Sequence, residues 1–154
     1  MNLRDYQVRA VQQIDAANSA IYCLPTGGGK TVIFASLIET LAARGERVLV
    51  IVHRHEILNQ TSHKLTVEHG IIRAGLNADL SYPVQLASIQ TLSRRTSTGR
   101  LEWPKADVVV MDECHSRQSP HLAHRTRSLS PCAALWLHCD PMPWRRARVG
   151  RPLR

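Results

Sequence analysis

The chain has no apolar run long enough to cross a bilayer and no leader-like N-terminal segment, so it reads as a cytoplasmic protein with no membrane partner. Its four cysteines, Cys23, Cys114, Cys132 and Cys139, lack metal-ligand spacing, and the eight histidines form no zinc pattern. Cys23 reads instead as a small buried hydrophobe in a strand. Length is short as well: 154 residues bury one sound core, not two. Acid is nearly missing from the last quarter. Residues 117–154 hold eight Lys and Arg against one acid, whereas residues 1–116 hold twelve against eleven. The net charge of +8 therefore belongs almost wholly to the tail. That tail contains no lysine, five of the eight prolines, two of the three tryptophans and no sustained helical or strand period. A basic stretch of this kind can act as a nucleic-acid arm.

What the chain does have is a glycine-rich turn, Leu24-Pro25-Thr26-Gly27-Gly28-Gly29-Lys30-Thr31. It lies between an apolar run, Ala20 to Leu24, and a helical pattern carrying Val32, Ile33, Leu37, Ile38 and Leu41. Strand, loop and helix in that order make a phosphate cradle. Glycines present no Cβ to a phosphate, so backbone N–H groups can point inward while the next helix offers its positive end. Lys30 would reach the β- and γ-phosphates, and the Thr31 hydroxyl would ligate magnesium. The general pattern wants glycine where this chain has Leu24, and an ordinary turn before a helix is the plainer alternative.

Far along the chain, Asp107 to Met111 is a short apolar run suited to a strand buried on both faces, which delivers Asp112 and Glu113 to its carboxyl end. Open α/β sheets bind ligands at that edge. Asp112 is the candidate magnesium partner, and Glu113 the candidate base that orients the attacking water. An acidic pair after a strand says little alone; with the glycine loop it completes a site for ATP and Mg2+.

Asp112-Glu113-Cys114-His115 resembles the Asp-Glu-x-His box of superfamily 2 helicases, in the branch related to type III restriction enzyme motor subunits. Leu24 before Pro-Thr-Gly-Gly-Gly-Lys-Thr is common in that branch. Leu3-Arg4-Asp5-Tyr6-Gln7 resembles its N-terminal element, which implies that Gln7 reads adenine with support from Arg4 and Tyr6. Val52 to Gln60 resembles the family's motif Ia, and Ala87 to Leu92 its motif Ic. In relatives these two track one nucleic-acid strand, so His53, Arg54, Gln60, Gln90 and Thr91 become candidate nucleic-acid contacts, with DNA favoured over RNA. His115 would couple the nucleotide site to a second domain. The resemblance covers residues 3 to about 116 and implies an α/β fold: a RecA-like P-loop NTPase domain with a mainly parallel sheet flanked by helices.

Each lesser segment also has a plainer explanation. Arg4, Gln7 and Arg9 could be the wet face of a helix whose apolar stripe is Val8, Val11 and Ile14. His53 and Arg54 follow a strand, Arg47 to Val52, and Ser88 to Thr91 could simply start a helix. Helix N-termini at both places could donate N–H groups to phosphates, a contact that positions a strand without reading its bases.

The resemblance further implies two RecA-like domains with the nucleotide between them, and this length holds only the first. It also implies a strand ending in Gly-x-Thr-Ala-Thr-Pro beyond the acidic box. The chain instead reads Trp136-Leu137-His138-Cys139-Asp140-Pro141-Met142-Pro143. Joining the last two bases of each codon to the first base of the next can spell that missing motif. Residues 117–154 are therefore expected to be out-of-frame translation, with the slip between Ser116 and about Arg127. On this expectation the tail is poorly ordered, and the sheet lacks a strand beside Val108 to Met111. Two functional expectations follow: the ATP-binding domain of an ATP-dependent DNA helicase or translocase, or an inactive fragment that binds nucleotide weakly.

Overall fold

The computed structural model of the protein describes residues 3–17, 19–23, 28–112 and 133–138. Among these residues four helices and six strands follow in the order α1 (Asp5–Asp15), β1 (Ser19–Cys23), α2 (Lys30–Ala43), β2 (Val48–Val52), α3 (His55–Lys64), β3 (His69–Ile72), β4 (Val84–Ser88), α4 (Ile89–Ser97), β5 (Val108–Asp112) and β6 (Ala133–His138). The strands form one sheet in the order β1-β6-β5-β2-β4-β3, and every neighbouring pair runs parallel. Parallel strands put all their carboxyl ends on one rim, so the segments after β1, β2, β4 and β5 emerge along a common edge.

Continuous burial marks the central strands. Every residue of β2, β4 and β5 is buried, as expected where helices cover both faces. Alternate residues divide between two cores. Val48, Val50, Leu86, Val108 and Val110 pack with Ile33, Leu37, Ile38 and Leu58 on the face covered by α1, α2 and α3. Leu49, Ile51, Ala87, Val109 and Met111 pack on the opposite face with Ile89 and Leu92 of α4. Among the described residues no helix is long and apolar enough to cross a membrane.

Helix α2 ends in a Schellman motif: Glu46 N donates to Leu41 O at 3.2 Å and Gly45 N to Ala42 O at 2.9 Å, with Gly45 at φ +80°. Just beyond the helix, Arg44 pairs with Asp15 of α1 and, at 3.2 Å, with Glu46. This ties the C-terminal ends of α1 and α2 together.

Two expectations are corrected. The missing strand is present: Ala133–His138 forms β6, with Leu135 in register with Val110 of β5 and Ala20 of β1. The physical reason is plain. A lane between two parallel strands offers unpaired N–H and C=O groups on both sides, and the apolar run Ala-Ala-Leu-Trp-Leu-His can fill it despite its different sequence. Of the stretch 117–154, only these six residues are described. The stripe of α1 is also different. Gln7, Ala10, Val11 and Ile14 are the buried residues, while Val8 is exposed. Gln7 is therefore not part of a wet face, which removes the plainer explanation for that residue.

Candidate nucleotide site and its rim

Helix α2 begins immediately after Gly29, whose φ of +73° is a left-handed conformation that side-chain-bearing residues rarely adopt. A Cβ at Gly29 would overlap Gln7 Nε2, so any side chain here would both strain the backbone and displace that amide. Gln7 is held in that position by its own helix start: Arg4 N donates to Gln7 Oε1 at 2.9 Å, one arm of a capping box. Tyr6 donates its hydroxyl to Gly28 O at 3.2 Å. The N-terminal element thus grips the end of the glycine turn, joining segments more than twenty residues apart.

No side chain caps α2 among the described residues; Val32 N donates to Gly29 O at 2.9 Å, while the N–H groups of Lys30 and Thr31 have no acceptor within the helix itself. Lys30 is the first residue of α2. Its Nζ lies 3.8 Å from Oδ1 of Asp112, the last residue of β5. Because β6 occupies the lane between β1 and β5, those strands are roughly 10 Å apart, and the long lysine side chain closes the gap. Both groups are mostly shielded, with side-chain exposures of 18% and 7%. Their separation is an ion-pair distance, too long for a hydrogen bond. A cation, a carboxylate and the positive end of a helix therefore meet at one rim. That donor set fits a metal-bound polyphosphate: the amides and ammonium suit phosphate oxygens, and the carboxylate suits a hard cation. Thr31 follows Lys30 in the first turn of α2 and is half-buried. Among the described residues there is no cluster of three or more His, Cys, Asp or Glu that would hold a metal by itself.

Pro25, Thr26, Gly27, Glu113 and His115 lie outside the described residues. Gly28, Gly29, Lys30, Thr31, Gln7 and Asp112 are the site residues the structure places. Arg4 is exposed, and it contributes its backbone N–H to Gln7.

Farther along the rim, the segments after β2 and β4 are tied together. Gln90 Nε2 donates to His53 O at 3.2 Å, while Ser88 Oγ donates to Gln90 Oε1 at 2.8 Å. His53 is half-buried and Arg54, the N-cap of α3, is exposed. Thr91 is 8% exposed, which leaves little of it for a ligand, so Gln90 and Arg54 are the accessible members of that group. Gln60 is exposed later in α3 and makes no side-chain hydrogen bond among the described residues. Sequence reasoning does not find the Gln90 to His53 link, because no local pattern indicates which loops a parallel sheet brings side by side.

A family model described as "Type III restriction enzyme, res subunit" matches residues 1–135. The chain belongs to this family. It corresponds to the N-terminal RecA-like domain of superfamily 2 helicases, and the curated relatives it matches are named helicases. It is 29% identical over 119 residues to "Probable helicase HelY" of Mycobacterium tuberculosis, an alignment covering 74% of this chain and 13% of that protein. The helicase domain of Pyrococcus furiosus Hef superposes with a TM-score of 0.72 at 17% identity, covering 92% of this chain and 34% of that one. The Sulfolobus solfataricus SWI2/SNF2 ATPase core, solved in complex with dsDNA, superposes at 0.71 with 18% identity, covering 92% and 32%. The chain thus spans a small part of the relatives it matches.

Proposed function

We propose that this domain binds ATP with magnesium and forms one wall of a motor that moves along DNA. The observation that carries the proposal is the approach of Lys30 Nζ to Asp112 Oδ1, 3.8 Å across the sheet rim at the start of α2. ATP supplies a phosphoanhydride whose cleavage drives the motor, and magnesium neutralises charge on its phosphates. Lys30 holds the β- and γ-phosphates. Pro25, Thr26, Gly27, Gly28 and Gly29 would supply the phosphate loop, Thr31 and Asp112 would hold the metal, and Gln7 with Arg4 would read the adenine. Glu113, directly after Asp112, orients the attacking water and accepts its proton. His115 couples this site to a second RecA-like domain that closes the cleft and supplies the arginine charge partners.

The rim formed by His53, Arg54, Gln90 and Thr91 carries the strand, with Gln60 as a more distant contact. DNA is favoured over RNA by the dsDNA in the SWI2/SNF2 complex, a likeness of fold. The test is ATP turnover and oligonucleotide binding by the 154-residue chain. Turnover alone is expected to be very slow without the second domain's arginines, and Glu113→Gln should lower it further while ATP still binds. A labelled single-stranded DNA should bind, more tightly than RNA of the same sequence, and Arg54→Ala should weaken it. Equal binding of DNA and RNA would remove the DNA assignment; no binding of either would remove the motor reading.

A further inference from the structure

Beyond Gln90 the rim opens into a groove of about 440 Å³ whose lining includes Gln90, Thr91, Arg94, Arg95, Thr98 and Arg100. His55, Ala74 and Gly75 complete it, and no carboxylate lines it. The three guanidinium groups have different environments. Arg95 Nη2 donates to Arg73 O at 3.2 Å and to Leu76 O at 2.7 Å, which fastens the turn at Gly75, where φ is +80°. Arg95 is a strut that forms the groove wall. Arg94 and Arg100 are exposed and, among the described residues, have no ion pair and no side-chain hydrogen bond. Two uncommitted cations beside a third, with no acid among the lining residues, leave positive charge that an anion would neutralise.

Gln90 connects this groove to the rest of the rim. It lines the groove and also donates to His53 O, so the groove continues directly from the candidate strand contacts after β2 and β4. No Phe, Tyr or Trp is present in the lining to stack on a base. Arginine forks match phosphate oxygens and are rigid in presenting them. Resting on the strand-binding rim proposed above, we infer that the groove is a phosphodiester subsite. Arg94 and Arg100 there grip the backbone phosphate next along the strand from those on the Arg54 and Gln90 segment. The Thr98 hydroxyl is spent on Arg94 O and Arg95 O, 2.9 and 3.2 Å away, so the two arginines are the donors.

The test is fluorescence anisotropy of a labelled single-stranded DNA on the full chain, measured across a range of salt concentration. The wild type, Arg54→Ala, the double variant Arg94→Ala/Arg100→Ala and the double variant Arg94→Lys/Arg100→Lys are compared, each checked for folding by circular dichroism. The double alanine variant should weaken binding about tenfold. Its plot of log affinity against log salt should be shallower by about 0.7 for each phosphate that is no longer neutralised. The double lysine variant should recover the slope, since it keeps the charge. If the double alanine variant keeps the wild-type slope while Arg54→Ala binds more weakly, the groove assignment is overturned and the rim reading stands. If the wild type binds no oligonucleotide, both are overturned. Inorganic phosphate is added in a further arm at constant ionic strength. If it displaces the oligonucleotide from wild type but not from the double alanine variant, the groove holds a free anion and the strand assignment is overturned.

Discussion

Replacing Gly29 with alanine tests whether the N-terminal element and the glycine loop are one mechanical unit. A left-handed alanine costs about 1–2 kcal/mol from its own backbone. The added Cβ would also overlap Gln7 Nε2, so Gln7 must move. Because Gln7 is buried and its Oε1 accepts from Arg4 N, moving it breaks a hydrogen bond worth about 1 kcal/mol. The total is about 2–3 kcal/mol. Gly45→Ala is the matched control, since Gly45 has φ +80° and a Cβ there would meet nothing within 4 Å, so that variant carries the backbone cost alone. Gly29→Ala should therefore unfold at lower urea than Gly45→Ala by an amount equivalent to about 1 kcal/mol. In a Gln7→Ala background the Gly29→Ala cost should fall to the Gly45→Ala value, a coupling of about 1 kcal/mol. Equal losses for the two glycine variants, or an unchanged Gly29→Ala loss in the Gln7→Ala background, would refute the steric link between Gly29 and Gln7.

Two further outcomes follow from other parts of the molecule. Leu135→Pro removes a ladder donor from the centre of β6, and it should destabilise the fold by about 3 kcal/mol or more in a urea melt; a neutral result would show that this lane does not support the sheet. Hydrogen bonds from the Arg47 side chain and backbone hold the Asp107 carboxyl down at about 2, below its usual 3.8. A depressed carboxyl stabilises the folded state above its unfolded value and ceases to do so as pH falls through its folded value. The melting temperature of wild type should therefore exceed that of Asp107→Asn at neutral pH, with the difference shrinking below about pH 4 and vanishing only below about 2. With side-chain exposures of 47% and 44%, the effect should be small and salt-sensitive; a difference that persists at the acid end would contradict it.

The parts of this fold that sequence makes legible are those with strong local period or chemistry. Val48 to Val52 and Val108 to Met111 are apolar without interruption because helices cover both faces of the sheet, and such runs can hardly be anything but central strands. Gly-Lys-Thr before an apolar helix fixes where α2 starts, and an acidic residue at the end of β5 can be placed on the same rim by parallel topology alone. What is not legible depends on three-dimensional neighbours. The wet-face alternative for Gln7 could not be discarded from sequence, because its burial depends on the close approach of Gly29, more than twenty residues away. Residues 133–138 read as unsuited to the sheet because they lack the family's motif. A vacant lane between two strands selects for backbone pairing and apolar content, and that run supplies both. Arg94 and Arg100 have no motif to mark them, and only the turn at Gly75, secured by Arg95, makes the groove they line.

The most direct test of the central claim is titration of the full chain with a fluorescent ATP analogue, with and without magnesium, for wild type, Lys30→Ala and Asp112→Asn. Wild type should bind in a magnesium-dependent manner. Lys30→Ala should weaken binding about tenfold or more, as expected when a charge-assisted bond to phosphate is removed, and Asp112→Asn should abolish most of the magnesium dependence. Magnesium-dependent binding that survives unchanged in both variants would mean that the meeting of Lys30 and Asp112 is only a structural ion pair, and that the nucleotide, if bound, sits elsewhere.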